Sequence, residues 1–183
     1  NAFVFAALGQ WNKTISIDPN ISNTVDFQNA QVELPANGIV DANGNPVSGD
    51  ITVKAVYFDP TTDNYGDVFL GDFEGEDVSG NVVSLESFGF INVELSQGGN
   101  ELDLAEGQVS KIILPLPASL QSTAPQTIPL WYFDENIGTW VEEGSASKQN
   151  GSYVGTVSHF TAWNCDAPIN SSIIKGKVTC EDG

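Results

Sequence analysis

Residues 128–166 read IPLWYFDENIGTWVEEGSASKQNGSYVGTVSHFTAWNCD, and this stretch decides the fold class. Its apolar runs are short, rich in Trp, Tyr, Phe, Val and Ile, and broken by Gly, Asn and Asp at strand-like intervals. No amphipathic helix is legible in it. Trp131 and Trp140 are expected on two strands of a hairpin, with Asp134 to Gly138 as the loop. The same grammar extends outward. Strands are expected at residues 2–8, 13–17, 24–27, 31–34, 51–58, 88–95, 111–116, 128–133, 139–142, 153–157 and 160–164. In residues 51–58 Ile51, Val53, Ala55 and Tyr57 alternate with Thr52 and Lys54, the mark of a strand with one buried and one wetter face. Asn43-Gly44 and Gly98-Gly99 are turn dipeptides. Many short strands with turn punctuation predict an all-β, antiparallel β-sandwich of the Ig-like or jelly-roll-like kind, without significant helix.

Composition narrows the function classes. The chain has 183 residues, 40% of them hydrophobic, enough for one domain with a substantial core. Its 24 acids against six Lys, with no Arg, give a formal charge of −18. Phosphate contacts need Lys and Arg, so nucleic-acid binding is excluded, and anionic membrane surfaces are disfavoured. No apolar run is long enough to span a bilayer, so no membrane insertion is expected. Without a signal-like segment at Asn1, the chain is expected to be a mature or excised one. The acidic, Ser/Thr/Asn/Gly-rich composition points to an extracellular or cell-surface setting. There Cys165 and Cys180 either pair as a disulfide or stay free.

Carboxylates suggest Ca²⁺ as the one inorganic partner to consider. Residues 59–77 carry seven acids and no Lys, and Asp59, Asp63, Asp67 and Asp72 are the candidate ligands of a loop-rigidifying ion. The competing reading is a solvated acidic loop. Asp41-Ala42-Asn43-Gly44-Asn45 has the alternating oxygens of a calcium loop, but Pro46 stands where such a loop needs Gly, and a plain hairpin turn is expected. Trp131, Tyr132, Phe133, Trp140 and Trp163 could stack on a surface glycan. Alternation along strands sends at least half of them into the core instead.

The run LWYFDENIGTWVEEG followed by YVGTVSHFTAWNCDAP resembles a β-sandwich module of large secreted or surface proteins of Bacteroidetes-type bacteria, related to a module of the cartilage intermediate layer proteins. Asn37-Gly38-Ile39-Val40-Asp41, Asp59-Pro60, Leu70-Gly71-Asp72 and Ser87-Phe88-Gly89-Phe90 fit the same pattern, up to Pro168. The resemblance implies residues 1–167 as the module, 168–172 as a linker, and 173–183 as the first strand of a following module or an exchanged strand. Ile174-Lys175-Gly176-Lys177-Val178 is similar to the opening of a carboxypeptidase-regulatory-like module. It further implies a structural or adhesive role, without catalysis on external substrates, and with neighbouring modules or identical subunits as partners. A carbohydrate-binding adhesin and a filament subunit joined by strand exchange are the alternatives.

The triplet His159-Phe160-Thr161, holding the chain's one His, resembles the autoproteolysis sites of adhesion receptors and of nucleoporin-type proteins. In that chemistry Thr161 Oγ attacks the Phe160 carbonyl while His159 takes the hydroxyl proton. The ester formed by the N→O shift is then hydrolysed. The step needs a strained turn and an oxyanion donor. The bland alternative is a hairpin corner in which His159 serves the turn and Phe160 and Trp163 fill the core.

Overall fold

A computed structural model describes residues 13–27 and 30–169. It is all-β and sandwich-like. The strands are β1 (Lys13–Ile17), β2 (Asn23–Phe27), β3 (Ala30–Leu34), β4 (Ile39–Asp41), β5 (Ile51–Phe58), β6 (Glu74–Glu76), β7 (Val82–Gln97), β8 (Asn100–Leu104), β9 (Ser110–Pro115), β10 (Thr127–Asp134), β11 (Thr139–Gln149), β12 (Ser152–Val157) and β13 (Ala162–Ile169). One helical turn, α1 (Tyr65–Val68), interrupts them. The expected strand at residues 2–8 and the expected element at 173–183 lie outside the described residues.

Hydrogen bonding runs through one path, β1-β5-β7-β13-β10-β11-β12-β9-β3-β2. The path folds over so that its two ends, β1 and β2, touch. Every pairing is antiparallel except that of β6 with β11. Between the two halves lies the main core, which includes Phe27, Val32, Ile51, Val53, Ile91, Val93, Ile112 and Leu114. A second core sits on the outer face of β5, β7, β13 and β10. There Val56, Phe58, Phe90, Trp131, Phe133 and Trp140 are covered by α1 with Phe69 and Leu70.

This second layer changes the burial code. β5 alternates as expected from Ile51 to Ala55, but Val56 and Phe58 are buried as well, because α1 and its flanks cover the face that Thr52 and Lys54 leave wetter. The three Trp residues of the deciding stretch, Trp131, Trp140 and Trp163, are wholly buried. Each indole N–H donates to a backbone carbonyl: Asp166 at 2.9 Å, Leu70 at 2.8 Å and His159 at 3.0 Å respectively. Burial of so large a side chain is favourable only when that N–H finds a partner. None of the three is placed to stack on a glycan.

Glycine sets the extents that sequence pattern misjudges. β7 is expected from 88 to 95 and runs from Val82 to Gln97, passing through Gly89 at φ +113°. There two residues of β7, Phe88 and Gly89, stand against the single residue Cys165 of β13, between the pairs Ser87↔Asp166 and Phe90↔Asn164. This is a β-bulge. A Cβ on Gly89 would stand 2.8 Å from the Tyr57 hydroxyl, so only glycine fits. β11 likewise continues past Glu142 through Gly144 to Gln149. β13 begins at Ala162 rather than at Phe160 and extends to Ile169, so Pro168 and Ile169, expected to open a linker, pair with Leu85 and Ser84 of β7.

Candidate functional site

The described residues enclose a groove of about 650 Å³ on the outer face of the sheet, beside the second core. Its floor is β7. Phe90 belongs to the second core, and the next residues on that face, Asn92 and Glu94, open into the groove. One wall is the β7–β8 hairpin, whose turn at Gly98 and Gly99 lies in the positive-φ region, as the dipeptide predicts. The opposite wall is the β10–β11 hairpin from Tyr132 to Asn136, and the β12–β13 corner at His159 to Thr161 closes the end.

The lining is acidic. Asp41, Glu94, Glu101, Asp103, Asp134 and Glu135 all contribute. Several hold the walls in shape. Asp41 Oδ1 accepts the N–H groups of Asn43 and Asn45, both at 2.9 Å, which makes the Asp41–Asn45 segment a side-chain-anchored turn. These bonds, led by the Asn45 amide, hold the Asp41 carboxyl below its usual range. Asp103 Oδ1 accepts from Leu104 N at 2.7 Å and Phe160 N at 2.9 Å, tying the corner to β8. Asp134 Oδ1 accepts from Asn136 N at 2.8 Å. Glu94 pairs with Lys54 at 2.8 Å. Asn92 differs from all of these: it carries no charge and is 7% exposed.

The triplet His159-Phe160-Thr161 forms the corner between β12 and β13. The Thr161 hydroxyl donates to the Phe133 carbonyl at 3.0 Å. The His159 ring packs between Tyr132 and Trp163, each with centroids 4.9 Å away, and its Nε2 faces Glu143 Oε2 at 3.7 Å. No hydrogen bond joins the His159 ring to the Thr161 hydroxyl. Residues 158–161 include no positive-φ residue and no cis peptide. Burial, helped by the Asp134, Glu143 and Glu76 carboxylates, raises the Tyr132 hydroxyl pKa, so Tyr132 presents a neutral phenol.

The candidate calcium ligands are not gathered. Asp63, Asp67 and Asp72 are exposed. Asp59 Oδ1 is taken by Thr61 N at 2.8 Å and Thr61 Oγ1 at 2.6 Å. Among the described residues no three His, Cys, Asp or Glu side chains converge as a metal site. Cys165 carries a free thiol, wholly buried and with its pKa pushed up by that burial. Cys180 lies outside the described residues.

Under the bulge lies a polar network that the sequence pattern does not reveal. Tyr65 Oη and Ser87 Oγ are 2.6 Å apart, Ser87 Oγ donates to Asn164 Oδ1 at 3.2 Å, and Asn164 Nδ2 donates to Asp166 Oδ2. Asn164 and Asp166 are wholly buried. Among the described residues Asp166 Oδ1 has no hydrogen-bond partner. Burial raises the Asp166 carboxyl to about 7, offset in part by the dipoles of Ser87, Asn164 and the Phe88 N–H. The one sequence signal is Asn and Asp inside Trp163-Asn164-Cys165-Asp166, where β13 is covered on both faces.

Comparison with known proteins gives one consistent direction. No family model matches the chain, and no solved structure matches it. Human cartilage intermediate layer protein 1 is 25% identical over 124 residues, which is 66% of this chain and 10% of the relative. Human cartilage intermediate layer protein 2 is 24% identical over 125 residues, 67% of this chain and 10% of the relative. The chain thus spans about a tenth of the length of the curated relatives it matches, and what it has in common with them is a segment of module size.

Proposed function

We propose that the chain is an extracellular structural or adhesive module, one that spaces and presents neighbouring modules and does no chemistry on external substrates. The observation that carries this reading is the module-sized likeness to two proteins named for a cartilage layer. The geometry supports it. The side chains that would do self-cleavage chemistry are engaged in holding the corner, with Thr161 on Phe133 and His159 between Tyr132 and Trp163. The negative surface, with a net charge of −18, favours solubility at the exterior and repels nucleic acid. Neighbouring modules or identical subunits are the partners this role requires.

The test is surface labelling of the organism that makes the protein. An antibody raised against the folded chain is expected to stain intact cells or their medium. Staining that appears only after permeabilisation would refute the proposal.

A further inference from the structure

We propose that α1 is a pH-sensitive lid over Asp166, closed while that carboxyl is protonated and opening locally to admit water when it ionises.

The place of Asp166 in the sheet selects α1. Along β13 the side chains alternate: Trp163 and Cys165 belong to the main core, and Ala162 belongs to the second core. Asn164 and Asp166 therefore share the outer face with Ala162. β7 and β10 are hydrogen-bonded to β13 on either side. Tyr65, the first residue of α1, has its ring in the second core, and its hydroxyl enters the polar network that runs through Ser87 and Asn164 to Asp166. Of these elements α1 is the one not paired into the sheet, so it can move without breaking a strand pairing.

The surroundings of Asp166 suit a neutral carboxyl and not an ionised one. It is wholly buried, and among the described residues its Oδ1 has no partner. An ionised oxygen left so is costly, and water is the donor that would satisfy it. None of the groups acting on the carboxyl is a cation. From β7 come the Ser87 hydroxyl, the Phe88 N–H and the Glu86 carboxylate, whose like charge adds to the penalty. From β13 come the Asn164 amide and the Cys165 thiol, and from α1 the Tyr65 hydroxyl. β5 brings the Tyr57 hydroxyl near Tyr65 and Cys165, and β10 brings the uncharged Trp131 indole. Burial raises the pKa of Tyr57, Tyr65 and Cys165, so all three stay neutral while Asp166 titrates.

The lid itself is weakly built. α1 has four residues, and Asn64 at its N-terminus makes no side-chain cap bond. So short a turn does not persist on its own. The Tyr65 hydroxyl and the ring contacts of Phe69 with Phe90 and Trp140 hold it down. Segments of this kind open more readily than a whole domain unfolds. In the closed form the carboxyl titrates near 7, and in the open, hydrated form at its ordinary 3.8. Between those values opening releases a proton, so the open fraction grows about tenfold per pH unit, and above about 7 it levels off.

The experiment is amide hydrogen exchange read by NMR and corrected for intrinsic rates, on wild type and Asp166→Asn, from pH 5 to pH 8. The Phe69 N–H, bonded to Tyr65 O at 3.0 Å, reports the lid. The Ile91 N–H, in β7 between β5 and β13, reports unfolding of the whole domain. Phe69 is expected to exchange through openings that low urea does not change and that are more frequent than those of Ile91. Its opening constant in wild type, relative to Asp166→Asn, is expected to rise about tenfold from pH 5 to pH 6 and to level off beyond about pH 7. Tyr65→Phe cuts the latch and keeps the carboxyl. It is expected to raise Phe69 opening about threefold or more at pH 5 and to retain the rise with pH, and it serves where Asp166→Asn fails to fold. Exchange of Phe69 only together with Ile91 would overturn the lid. A wild-type to Asp166→Asn ratio that stays flat from pH 5 to pH 7 would overturn the part given to Asp166. Unchanged opening in Tyr65→Phe would overturn the latch.

Discussion

Asp166 makes the stability of this domain fall as pH rises, and the size of the fall follows from its burial. In the folded chain its carboxyl titrates near 7, against 3.8 for the ordinary group, chiefly because burial penalises the ionised form. Below 3.8 the group is protonated in both states and contributes no pH-dependent term. Between 3.8 and about 7 the unfolded chain releases the proton and the folded chain keeps it. The unfolded state then binds fewer protons, so stability drops with pH. Above about 7 both states are ionised and the curve levels off. At about 1.4 kcal/mol per pH unit, the interval of roughly three units corresponds to a loss on the order of 4 kcal/mol. Asp166→Asn removes the titration. It keeps an acceptor for the Asn164 amide and leaves the Trp131 bond untouched, since that bond goes to the backbone carbonyl of residue 166. Urea unfolding of both proteins from pH 4 to pH 8 checks this. The difference in stability between variant and wild type is expected to grow in the variant's favour up to neutrality and then stay constant. A difference curve that is flat across pH 4 to 7 would refute the reasoning, because general repulsion among the other acids is common to both proteins and cancels.

Other expectations follow from the same contacts. Gly75→Ala places a Cβ 2.8 Å from Trp131 Cε3, so the variant should lose about 1–3 kcal/mol in a urea titration with an unchanged slope. Trp140→Phe strands the Leu70 carbonyl and opens space in the second core, and its melting temperature should drop by an amount equivalent to about 2–4 kcal/mol. Cys165, buried and with its thiol pKa raised, should resist thiol reagents until denaturant is added, as peptide mapping will read; labelling under native conditions would contradict its burial. Wild type and Thr161→Ala should both give one unbroken mass after long incubation under denaturing, reducing readout. Wild-type fragments ending at Phe160 would replace the structural role with self-cleavage.

The sandwich was legible because strand-forming runs and turn residues alternate throughout, and because the Trp hairpin across Asp134 to Gly138 is local in sequence. What escaped reading is non-local. The polar stretch after Gly144 has no buried alternation of its own, and it is a strand because β10 and β12 flank it. The pair Asn164 and Asp166 sits where alternation should carry information, but both faces of β13 are covered and the code is erased. Asn92, within Ile91-Asn92-Val93-Glu94-Leu95, looks like any outward polar residue of a strand. Only the β8 hairpin and the His159 corner, folded over it from distant sequence, turn it into the floor of a groove.

The turn anchored on Asp41 also bears on how long the molecule lasts. An Asn-Gly pair in a loose chain loses ammonia spontaneously when the glycine nitrogen attacks the asparagine side chain and closes a succinimide. In Asn43-Gly44 that nitrogen is already engaged, donating to the Asp41 carbonyl at 2.9 Å, while Asp41 Oδ1 fixes the amides on either side of it. That hydrogen bond must break before the nitrogen can attack. On the proposed reading of the chain as an extracellular module, beyond the reach of routine turnover, such reactions accumulate with age, and slower succinimide formation at Asn43 than in an unfolded peptide of the same sequence is the consequence expected of this turn.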